Sequence, residues 1–99
     1  MDLKQFRAST DAAKPPAELS KALEALWWDA KGDWHKAHDR AQAQDDKTGA
    51  WVHAYLHRKE GDLSNAGYWY CQAGKKRPDA TLDQEWDEIA AALLKDAHS

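Results

Sequence analysis

The chain has 99 residues and a formal net charge of -3, with 31% charged residues of both signs intermixed. That is the length of one domain, and the balance excludes a general attraction to nucleic acid or to an anionic membrane. Val52 and Ile89 are the only β-branched aliphatics, which argues against a sheet protein, and the single cysteine, Cys71, excludes an internal disulfide.

The rest of the apolar set is mostly alanine and leucine, both strong helix formers. Six tryptophans carry much of the remaining apolar area. No stretch approaches the ~18 apolar residues of a membrane span, and the first residues lack an apolar run of signal-peptide length. A reducing, cytoplasmic location is therefore expected.

In chain order, Leu3 and Phe6 sit at helical spacing and predict a short helix over about 2–10 that docks on the rest. Pro15-Pro16 breaks it, and Pro16 is placed to open the next helix, over about 16–31. Leu19, Ala22, Leu23, Leu26, Trp27 and Ala30 form its buried stripe, and Trp28 lies off that stripe. Gly32-Asp33 is a closing glycine followed by a helix-opening aspartate. The following helix, to about Gln44, carries Trp34, Ala37 and Ala41. Residues 45–49 read as a loop. A helix over about 50–60 contains Trp51, Val52, Ala54, Tyr55 and Leu56. Gly61-Asp62 then repeats the joint before a helix over about 63–73, with Ala66, Trp69, Tyr70 and Ala73 at helical spacing. On this helix Cys71 is expected to face inward. The one basic cluster, Lys75-Lys76-Arg77, follows directly, where cations favour the carbonyl end of a helix. Thr81 and Gln84 form a capping box for a last helix, 82–97. Its inner stripe is Leu82, Trp86, Ile89, Ala90, Leu93 and Ala97, and it reads as a solvating cap on the stack.

Superposing Gly32 on Gly61, 29 positions apart, aligns Ala25 with Ala54, Asp33 with Asp62, Trp34 with Leu63 and Ala37 with Ala66. Small residues at these places let helix backbones approach closely. Trp34 and Leu63 would plug the space under each turn. Gly61, Asp62, Leu63, Ala66, Tyr70 and Ala73 resemble the second half of a tetratricopeptide repeat, and Trp69-Tyr70 with Ala73-Gly74 is similar to Sel1-like repeats. The first hairpin matches at Gly32, Asp33, Trp34 and Ala37, with Ala41 in the aromatic place. The middle of the chain also resembles a group of short, functionally uncharacterised bacterial proteins of this type. The spacing is 29 rather than the family's ~34, and there are two repeats where about three are usual.

The resemblance implies an all-α domain spanning 1–99. It would contain two stacked antiparallel hairpins, 16–44 and 50–74, an N-terminal segment and the capping helix 82–97. In strict register His53 and His57 take packing positions, whereas periodicity favours Val52, Tyr55 and Leu56 as the buried set. First-helix faces line the groove in such stacks, so the resemblance implies a protein-interaction module that grips a protein or peptide segment. Trp28, Tyr55, Arg58 and Lys59 are the expected contacts, with the two cations suited to an acidic peptide. A homodimer covering an apolar end face is a further expectation.

The alternative is a histidine-centred metal site, structural or hydrolytic. His53, His57 and Glu60 share one helix face by their spacings of four and three, and two histidines four apart can hold zinc or another divalent transition metal. His35 and His38 on the preceding helix are possible further ligands. The metalloprotease signature fails, because Ala54 stands where its glutamate belongs. No nucleophile is marked, so an enzyme is the less favoured reading.

Overall fold

The computed structural model describes residues 1–97 of the chain, with side chains as far as Lys95. Each helix begins where a short polar side chain can accept from the free amides of a first turn. Asp2 caps α1 (Leu3–Ser9) in a capping box with Gln5. Ser20 caps α2 (Lys21–Ala30), Asp33 caps α3 (Trp34–Ala43), and Asp46 caps α4 (Lys47–Glu60). Asp62 caps α5 (Leu63–Ala73), and Thr81 with Gln84 forms the box that opens α6 (Leu82–Ala97). Among the described residues there are six helices and no strand.

Two boundaries differ from the sequence expectation. The helix expected from Pro16 starts at Lys21, because Glu18 adopts φ +70° and the Ser20 hydroxyl supplies the cap. The loop expected over 45–49 shrinks to its first two residues, since Asp46 accepts from the Gly49 amide and α4 begins at Lys47. Gly49 is buried against the preceding turn, and a Cβ there would lie 1.9 Å from the Gln44 carbonyl oxygen. Gly49→Ala is therefore expected to cost about 1–3 kcal/mol through displaced backbone, measurable by urea unfolding.

α2 packs on α3, and α4 on α5, across the short joints at Gly32-Asp33 and Gly61-Asp62. Gly32 and Gly61 take φ +85° and +90°, the left-handed turn that glycine adopts without strain. α4 is the central element, touching α2, α3, α5 and α6. This resolves the two competing registers: Val52, Tyr55 and Leu56 enter the main core, while His53 and His57 are also buried, toward α3 and α5.

α6 does more than solvate an end. It lies across α4, α2 and α1, with Trp86, Ile89, Ala90, Leu93 and Leu94 buried. Phe6 of α1 stacks on Trp86 at 5.5 Å, and the Trp86 indole N–H donates to the Leu26 carbonyl at 3.0 Å. Burial of large side chains such as Trp27, Leu26, Leu56 and Ile89 stabilises the fold by roughly 1.5–3 kcal/mol each. The side chain of Ala97, placed on the inner stripe by periodicity, lies outside the described residues. Cys71 is exposed rather than inward. Ala66, Tyr70 and Ala73 take the buried face of α5, and Cys71 follows Tyr70 around the helix onto the outer side.

Candidate metal centre

Positions 53 and 57 are one helical turn apart, so both imidazoles leave α4 on one side. α3 crosses that side and brings His38 to them. The His38 and His53 Nε2 atoms are 2.9 Å apart, so one ring donates to the other. The rings of His53 and His57 stack at 4.8 Å, and those of His38 and His57 approach to 5.3 Å. One ring nitrogen from each of the three histidines lies within 4.8 Å of the others.

The next layer is equally ordered. His57 Nδ1 is 2.7 Å from Glu60 Oε1. A carboxylate only accepts, so Nδ1 carries the hydrogen, and in the neutral ring Nε2 is left with a lone pair. A carboxylate held this way is the usual outer partner of a metal-binding histidine: it fixes the tautomer and raises ligand basicity. Trp34 stacks on His38 with centroids 4.9 Å apart, and its indole N–H donates to the Leu56 carbonyl at 3.0 Å. Trp69 lies almost parallel to His53 at 4.1 Å.

Burial pushes the His53 pKa down to about 4, helped by the neighbouring His38 and His57. Burial and His57 also lower that of His38. At neutral pH these two rings carry no proton that a metal ion must displace from a cationic form. The same shift makes stability depend on pH. Unfolded His53 takes up its proton near 6.5 and folded His53 near 4, so between these values the unfolded chain binds more protons. The contribution is fully present above about pH 6.5 and is lost as the pH falls toward 4. Thermal melts across that range should show a decline that is shallower in His53→Gln.

Of the four histidines considered from sequence, His38, His53 and His57 converge. His35 does not join them: it is exposed, with its ring perpendicular to that of Trp34 at 5.5 Å. The expected partner contacts have different surroundings. Trp28 is half-buried, edge-on to Trp27, with the Lys36 ammonium 4.2 Å from its ring centroid. Tyr55 is 2% exposed, and its hydroxyl donates to Asp29 at 2.9 Å. Lys59 pairs with the other oxygen of Asp29 at 2.8 Å. Arg58 donates to Glu85 Oε1 at 2.7 Å and to the Ala80 carbonyl. With α6 laid across α2 and α4, a crevice of about 270 Å³ persists beside Tyr55, Asp29 and Trp86.

Trp34 and Trp69, expected from sequence as apolar filling, lie against imidazoles, and two carboxylates absent from that expectation, Asp29 and Glu85, are 4% and 1% exposed. A signal was present for both carboxylates. Asp29 lies three residues after Leu26, and Glu85 four before Ile89, each at stripe spacing. Comparison of the chain with protein-family models, with curated proteins and with solved structures finds no significant match.

Proposed function

We propose that this protein binds one divalent transition-metal ion through His38, His53 and His57, on a helical frame of tetratricopeptide-like hairpins. The observation that carries this reading is the convergence of three ring nitrogens from two helices, with Glu60 holding the third ring. Three imidazoles suit zinc, copper(II) or nickel, and no thiolate is in the cluster to favour a softer ion. For bonds of 2.0–2.1 Å at tetrahedral angles, ligand nitrogens stand about 3.3 Å apart. The His38–His53 pair therefore has to open by a few tenths of an ångström and give up its hydrogen bond, a small change for side chains on adjacent helices.

Peptide capture along α2 and α4 has less support, because Tyr55 is buried, Arg58 and Lys59 have internal partners, and α6 packs on both helices. Equilibrium dialysis with zinc decides between the readings. One ion per chain is expected for the native protein and for His35→Gln, and essentially none for His53→Gln/His57→Gln, with unchanged far-ultraviolet dichroism in both variants. Equal zinc uptake by the folded double variant would end the proposal.

A further inference from the structure

Three protein ligands leave the remainder of the coordination shell to water or a small anion, and the number of those extra ligands depends on what surrounds the imidazoles. Here the surroundings are two indoles. Trp69 stacks on His53 at 4.1 Å and 16°, and His57 stacks on the same ring at 4.8 Å and 24°. Trp34 covers His38 at 4.9 Å and 19°, and its ring also meets His57 at 6.0 Å. Neither indole is loose. Trp34 is anchored by its bond to the Leu56 carbonyl, and Trp69 packs on the Ala54, Ala66 and Tyr70 cluster. An indole has no lone pair to give a metal, and its faces exclude water. An octahedral ion would have to place three extra ligands among these walls, whereas a tetrahedral ion needs one.

Building on the metal-binding reading, we infer that Trp34 and Trp69 restrict the ion to four-coordination, three imidazoles and one exchangeable ligand, so that the site selects zinc or cobalt(II) over six-coordinate ions such as nickel and manganese. The two tryptophans are positioning residues: they touch the ligating rings and never the ion.

Cobalt(II) reports its own geometry, with intense visible bands when tetrahedral and weak ones when octahedral. The native chain titrated with cobalt is expected to give the intense spectrum and to prefer zinc over nickel. Trp69→Ala, checked for fold by dichroism, is expected to lose band intensity as water enters and to lose about tenfold or more of the zinc preference. A weak octahedral spectrum from stoichiometrically bound cobalt in the native chain would overturn the inference and leave the three-histidine site standing. Failure to bind either cobalt or zinc would remove both. A folded Trp69→Ala that keeps the native spectrum would likewise overturn it, and if Trp69→Ala does not fold, Trp69→Leu carries the same comparison.

Discussion

If the three histidines hold zinc as proposed, the ion at one hundred times its dissociation constant is expected to stabilise the protein by about 2.7 kcal/mol, the effect of a ligand bound by the folded chain alone. For a domain of this size each kcal/mol moves the melting temperature by about 4–8 °C, so a rise of roughly 10–20 °C should be seen by calorimetry. The proposed ligands come from two different helices, His38 from α3 and His53 with His57 from α4. An ion held by both would cross-link α3 to the central helix α4, which is why the expected effect is global. His53→Gln/His57→Gln should show no zinc-dependent rise, and His35→Gln should show all of it. An equal rise in the double variant would place the binding elsewhere.

Arg58→Ala is expected to cost about 3–5 kcal/mol, a large part of the ~5–15 kcal/mol that holds a small domain together. Glu85 is 1% exposed, and its two oxygens accept from the Arg58 guanidinium and the Tyr70 hydroxyl. Removing the cation leaves a carboxylate in the interior with one neutral donor. Arg58 also ties the Ala80 carbonyl just before α6, so the anchor of that helix is lost as well. The expense lies in the unpaired charge rather than in the lost bond. Accordingly Arg58→Met/Glu85→Leu/Tyr70→Phe, which removes every polar member, should recover most of the stability. Urea unfolding of both variants measures the difference. A triple variant as unstable as Arg58→Ala would show that the polar trio contributes more than mutual satisfaction.

The six helices and the reversals at Gly32-Asp33 and Gly61-Asp62 are legible in the chain itself, although the starts at Lys21 and Lys47 are not. Aspartates 33 and 62 and Thr81 sit ahead of apolar stripes, and Gly32 and Gly61 close the helices before them. Capping and left-handed turns are decided within a few residues, so they are legible without knowing the fold. The pairing of His53 with His57 was legible for the same reason, since a spacing of four always shares a face. The tertiary structure decided which faces meet. His35 and His38 differ by about 60° around α3, and only the packing of α3 on α4 turns one toward the cluster and the other to solvent. The packing of the other helices likewise set Trp69 against an imidazole, laid α6 across α2 and α4, buried Asp29 and Glu85 beside their partners, and left Cys71 outside. Hydrophobic periodicity marks a buried stripe but carries no direction toward a particular neighbour. Contacts between residues far apart in the chain depend on how every helix settles against the others.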